Sequence, residues 1–304
     1  MSALFDAYIM VDWSAASKPV RGANSIWIAT CTRGPDEKVV TDTINPSTRL
    51  AARDLIMRQA SALIAAGQKV LIGFDFAMGY PAGTAAALGL DLGETPPWAA
   101  MQTYLSAHLE ARADNSNDRF DLAAQMNKVM TGTAHPFWAA TKTKQSQTLS
   151  MKKGDFSRAD SLPEHRRSET WIRANFKARP KSVWQLSGIG SVGSQTLLGL
   201  PTVSALRRAL SGSQVWPFET GFQPPTSDWL KNTPCVFAEI YPSTISVTPK
   251  HSEILDQAQV RTLSERFESL DRAGKLAAAF DRPNSISERE IHNITSEEGW
   301  ILAK

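Results

Sequence analysis

Three carboxylates stand where a folded chain has reason to avoid them. Asp12 closes the apolar run Tyr8–Asp12, Asp75 sits inside Val70–Phe76, and Glu239 sits inside Val236–Tyr241. An uncompensated carboxylate among apolar neighbours costs several kcal/mol or takes up a proton. Each acid therefore needs a partner: a helix N-terminus to cap, an Arg or Lys to pair with, or a cation to coordinate. His108, His135, His165, His251 and His292 are scattered without ligand spacing. An all-carboxylate set suits a hard ion such as Mg²⁺ or Mn²⁺ rather than zinc. On this reading Asp12, Asp75 and Glu239 are the catalytic and metal-binding acids, within reach of one ion.

What would bring them together is the order of elements. Tyr8–Asp12, Ser25–Thr32 and Lys38–Ile44 read as three strands joined by short turns, the second connection carrying Gly34-Pro35-Asp36. From Ser47 to Gly67 the period changes to helical, with Ser47 as N-cap and Gly67 as stop. Val70–Phe76 is apolar on both faces, as a central parallel strand is. A strand, a helix and a buried strand imply a right-handed crossover. If the fourth strand lies parallel beside the first, Asp12 and Asp75 become neighbours at the strand ends.

Beyond Pro81 the chain turns helical, then basic. Between residues 142 and 181 there are 11 Lys/Arg and four acids, so this segment carries +7 while the remainder carries −4. Such a segment is a solvated insertion or a surface that meets phosphates; Thr141–Ser161 reads as a loop. A short strand near Ser182, a glycine-rich turn, a helix broken at Pro201, a fifth strand at Val236–Pro242 and a long C-terminal helix or helix pair follow. Gly188-x-Gly190-x-x-Gly193 matches a dinucleotide fingerprint but lacks a clean βαβ frame. A turn whose N–H groups, with Ser191 or Ser194, receive an anion is the better functional reading, and a plain turn the simplest. Trp138, Trp171 and Trp184 near the basic segment are candidates for stacking on bases, or core residues.

The hydrophobic share of 42% and charged share of 21% are ordinary for a globular protein. No apolar run is long enough to span a bilayer, and the start is neither basic nor apolar, so a cytoplasmic, non-membrane protein is expected. Cys31 and Cys235 read as buried packing thiols, which excludes a disulfide scaffold.

In their order, "IMVDWSA", "VLIGFDFAMGYP" and "VFAEIYPS" resemble domain-of-unknown-function family 429, placed in the ribonuclease H-like superfold. "RRSE" (Arg166–Glu169) is similar to the family's R-x-x-E motif, and "GSQTLLGLP" to its glutamine-glycine segment. The resemblance implies a single domain over residues 1–304, with an α/β, ribonuclease H-like mixed sheet of three antiparallel strands followed by parallel ones. Helices would flank it, with a helical and basic insertion at about 83–182. It also implies that Asp12, Asp75 and Glu239 are the acidic sites. A further family aspartate opens the C-terminal helix; Gly274 stands at the aligned position here, and Asp271, almost one turn earlier, is the candidate substitute ligand.

"DWSAASK" also resembles the phosphate-binding first hairpin of the sugar kinase and actin superfamily, with Trp13 in place of its usual glycine. The phosphate-binding candidates are Ser14, Ser17, Lys18, Arg166, Arg167, Ser191, Ser194 and Gln195. The leading expectation is metal-dependent phosphodiester hydrolysis or related phosphoryl transfer by a nuclease-like enzyme. A nucleotide-dependent kinase or ATPase, and a non-catalytic nucleic-acid or nucleotide binding module, are the alternatives.

Overall fold

The computed structural model describes residues 3–34, 38–158 and 161–303. Residues 35 and 36 of the expected turn lie outside them. In chain order the elements are β1 (Ala7–Asp12), β2 (Trp27–Arg33), β3 (Val39–Ile44), α1 (Arg49–Ala65), β4 (Val70–Phe74), α2 (Thr84–Ala87), α3 (Pro97–His108), α4 (Arg119–Thr131), α5 (Arg167–Asn175), α6 (Val192–Ala209), β5 (Gln214–Val215), α7 (Ser227–Leu230), β6 (Cys235–Glu239), α8 (Leu255–Arg272) and α9 (Glu288–Asn293). The strands form one six-stranded mixed sheet in the order β3-β2-β1-β4-β6-β5. β1, β2 and β3 are antiparallel, whereas β4 runs parallel to β1, and β6 parallel to β4 and β5.

Alternation along the strands divides the core. Ile9, Val11, Ile72, Phe74, Cys235 and Phe237 face one way, beneath α1, α3, α4 and α6. Tyr8, Met10, Leu71, Val236 and Ala238 face the other, where α8 crosses β1 and β2. Val260, Leu263, Phe267 and Leu270 of α8 recur at helical spacing and bury against that face. Each such side chain contributes roughly 1.5–3 kcal/mol on full burial. Both cysteines are buried free thiols.

Several expected elements change on inspection. Thr48, not Ser47, caps α1: its side chain accepts from the Ala51 N–H at 3.2 Å. Gly67 does follow the helix end, with φ +79°. The fourth strand stops at Phe74, leaving Asp75 just past it. Near Ser182 there is no named strand, only an isolated pairing of Gln185 with Trp138. α6 runs unbroken through Pro201. The proline removes one backbone bond, but Leu197, Leu200, Val203 and Leu206 are buried on either side and hold the helix on course. Gly199 lets α6 seat on Phe76, because a Cβ there would lie 2.3 Å from the ring.

The long segment between β4 and β6 is fastened by residues 294–302. Glu297 accepts from the N–H groups of Gly83 and Ala85, both at 2.6 Å, and Glu298 from those of Ala82 (3.1 Å) and Arg167 (2.7 Å). Ile301 bridges to Glu239. Among the described residues, no helix is long and apolar enough to cross a membrane.

Candidate functional site

The register of β1 with β4 pairs Val11 with Phe74, so Asp12 and Asp75 come next, side by side at the carboxyl ends of two parallel strands. The Asp75 N–H donates to Val11 O at 3.2 Å, and the Trp13 N–H donates to the Asp75 carboxylate at 2.7 Å. The two carboxyl groups also hydrogen-bond to each other. Burial, then the charges of Asp75 and Asp256, push Asp12 well above the usual carboxylate range. Burial likewise pushes Asp75 up to about 7, while the Trp13 N–H and the Asp12 hydrogen bond hold it down in part. Both shifts favour the protonated form, so the pair as a unit tends to retain a proton.

The third acid is Asp256, which sequence reasoning missed. It lies in the first turn of α8, where a helix N-terminus favours negative charge, and accepts from the Asn24 N–H at 2.6 Å. Its signal was legible as an acid opening the apolar-periodic run of α8, 15 residues before Asp271. Asp256 lines both lobes of a cleft. One lobe, about 470 Å³, runs from Asp12 past Ser14 and Asn24 to Ser191 and Arg119. The other, about 460 Å³, runs from Asp75 past Gln195 to Lys181, Arg179 and Tyr241. Ile189, 93% exposed on its glycine-flanked loop, stands at the divide. A cavity of about 540 Å³ beside Thr131, His135 and Asp155 shares no residue with this cleft.

Glu239 has a different fate. It pairs in register with Phe74, but alternation sends its side chain to the face opposite α8. There Arg166 binds it through both terminal nitrogens, at 2.8 and 2.6 Å, and the Met78 N–H donates at 3.0 Å. The same guanidinium holds Glu169 and donates to Glu298 O at 2.7 Å. Burial works against the cation, yet Glu169 and Glu239 hold Arg166 above its usual range. Burial pushes Glu239 up, and Arg166 pulls it back.

These placements revise the expected site. Asp271 is no substitute ligand: it accepts from the N–H groups of Leu4 and Phe5 and from the Tyr8 hydroxyl at 2.6 Å, at the opposite end of β1 from Asp12. Gly274 ends α8 with φ +66°. Arg166 lines the second lobe together with Glu169 and Glu239, but it is 1% exposed and its guanidinium is committed to those two carboxylates and the Glu298 carbonyl. Arg167 pairs with Glu290 on the surface and lines neither lobe. Lys18 is exposed and lines neither lobe, its carbonyl accepting from Asn115. Ser14, Ser191 and Gln195 do line the cleft, and the Gln195 amide donates to Trp13 O at 2.5 Å. Ser194 is buried, donating to Leu186 O and accepting from Arg119, so it acts behind the wall. Trp184 is a core residue against Tyr80 and Phe137, and Trp171 packs on Trp300.

All-oxygen donors that make no ion pair among the described residues fit a hard divalent ion, which needs only one or two protein carboxylates when waters and substrate supply the rest. Among the described residues, no three Asp, Glu, His or Cys side chains form a ready-made metal cage. Comparison of the chain with protein-family models, with curated proteins and with solved structures finds no match in any of the three.

Proposed function

We propose that this protein is a divalent-cation-dependent phosphoryl-transfer enzyme, hydrolysing phosphodiester bonds on a ribonuclease H-like sheet. One observation carries the reading: two coupled aspartates end adjacent parallel strands, face a third, and make no ion pair with a cationic side chain among the described residues. The motif order that resembles family 429 supports it. Asp12 and Asp75 would hold Mg²⁺ or Mn²⁺, with Asp256 as the facing acid in place of Asp271. When bound, the ion supplies Lewis acidity at a phosphoryl oxygen and a more acidic water. To hold such an ion the pair would give up its retained proton, with the Trp13 N–H keeping the Asp75 carboxylate in place. Glu239 contributes by anchoring Arg166 rather than as a ligand.

The kinase alternative has less support, because Ser17 turns to Arg119 and Lys18 lies outside the cleft. The test is hydrolysis of a single-stranded oligonucleotide and of bis-p-nitrophenyl phosphate with Mg²⁺ or Mn²⁺, paired with Mn²⁺ calorimetry. Asp12→Asn, Asp75→Asn and Asp256→Asn are expected to abolish turnover and weaken Mn²⁺. A folded wild type that neither binds Mn²⁺ nor cleaves either substrate overturns the proposal.

A further inference from the structure

Several arginines in this structure meet carboxylates: Arg33 meets Glu268, Arg207 meets Glu219, and Arg261 meets Glu253. Arg119, on the wall of the lobe that holds Asp12, does not. Its Nε donates to Ser194 Oγ at 2.8 Å, and one terminal nitrogen donates to Ser17 Oγ at 3.0 Å and Asn117 Oδ1 at 2.7 Å. The guanidinium carbon lies 4.5 Å from the Phe120 ring centroid. All of these partners are neutral, and the second terminal nitrogen makes no hydrogen bond among the described residues.

Arg49 reinforces the pattern from behind. It donates to Ala16 O at 2.7 Å, to Ser14 O at 3.3 Å and to Asn115 O at 2.6 Å, all neutral acceptors. Two guanidinium groups therefore flank the loop of residues 14–17 without a counter-charge. Burial pulls both down to about 10, Arg49 with help from Arg119. A half-desolvated, immobilised guanidinium with an open donor edge is a receptor for a planar or tetrahedral oxyanion. A lobe of about 470 Å³ is far larger than one ion needs and accommodates a substrate group between Asp12 and Arg119.

We infer that Arg119 is a phosphate-binding subsite, holding a phosphate next to the one that reacts at Asp12 and Asp75. The inference rests on the proposed function for the identity of the reacting group, but the subsite itself needs no metal. Ser17 and Ser194 fix the guanidinium plane, so the fork is aimed before the ligand arrives. In the other lobe Arg179 donates only to the carbonyls of Arg173 and Ala178, and Lys181 lies alongside. The acids are thus flanked by cations on both sides. The phosphate at Arg119 comes from a polynucleotide backbone or from a nucleotide's diphosphate tail.

The experiment measures anion binding in EDTA at low salt, by anisotropy of a labelled ten-nucleotide single strand and by its competition with ATP and pyrophosphate. Arg119→Gln should weaken the oligonucleotide about tenfold or more, the worth of a charge-assisted bond. It should also flatten the dependence on log salt by about one unit, while Mn²⁺ affinity stays unchanged. Arg119→Lys should recover the salt slope but not the full affinity. Tighter oligonucleotide than ATP identifies the polymer source, and the reverse identifies the nucleotide tail.

Affinity within twofold of wild type in a folded Arg119→Gln overturns the subsite. If that variant does not fold, the wild type decides: an Arg119 side-chain NMR signal, assigned with Arg119→Lys, that pyrophosphate leaves unmoved overturns it equally. Loss of Mn²⁺ binding with Arg119-dependent anion binding intact counts against the proposed catalysis alone.

Discussion

Two acid clusters sit one strand apart, and they are held by opposite means. Around Arg166, Glu169 and Glu239 are buried and paired with one guanidinium that donates to both. At the ends of β1 and β4, Asp12 and Asp75 make no ion pair among the described residues: they have each other, a backbone N–H and another acid opposite, with cations only farther out on the walls of the lobes. The first cluster is complete as it stands. The second is complete only with a proton or a cation, which is why chemistry is assigned to it. Burial of a carboxylate does not separate structure from function; the presence of its counter-charge does.

The sharpest way to break this contrast is to remove the guanidinium. Arg166→Leu leaves Glu169 and Glu239 buried without compensation and should cost about 3–5 kcal/mol, read as a lowered urea midpoint. A loss below about 1 kcal/mol would mean that the pair contributes little to the fold. Next in size, Glu239→Gln keeps the shape but removes one charge and should cost roughly 2 kcal/mol. Its Mn²⁺ affinity should match wild type; a tenfold loss would return Glu239 to the metal site.

The aspartate pair should respond with the opposite sign. Asp75 titrates near 4 when unfolded and at about 7 when folded. The folded state therefore holds the extra proton, and stability falls as pH rises from about 4 to about 7. In chelator the melting temperature should drop from pH 5 to pH 8, and Asp75→Asn should reduce that drop while stabilising the protein at pH 8 by about 1 kcal/mol. Mn²⁺ should raise the wild-type melting temperature at pH 8 and leave it nearly unchanged at pH 5. Destabilisation by Asp75→Asn at pH 8 would place this pair with the Arg166 cluster.

The β-β-β-α-β order made the adjacency of Asp12 and Asp75 readable, because hydrophobic alternation and one right-handed crossover leave little freedom in where β4 lies. Glu239 was readable as a buried strand acid, but not its partner. Arg166 lies in a basic run whose other members are mostly exposed, and nothing local marks which cation of a run will be buried. Asp256 was overlooked because the family's helix-opening aspartate was aligned at Gly274, beyond the far end of α8, which drew attention to Asp271 rather than to the first turn. Arg119 carries no local signature at all. Its significance is the lack of a carboxylate across space, which only the tertiary structure reveals.

Residues 294–302, which clamp the 82–85 turn and Arg167, are also synthesised after every strand of the sheet and after α8. Asp12 and Asp75 are synthesised early, yet Asp256 and the Glu297 and Glu298 clamps follow some 180 to 220 residues behind Asp75. Chains are made from the amino end, so a nascent chain carries the aspartate pair long before the cleft around it can close. The wall that opposes those acids is thus built only after both strands that carry them, once α8 has been made.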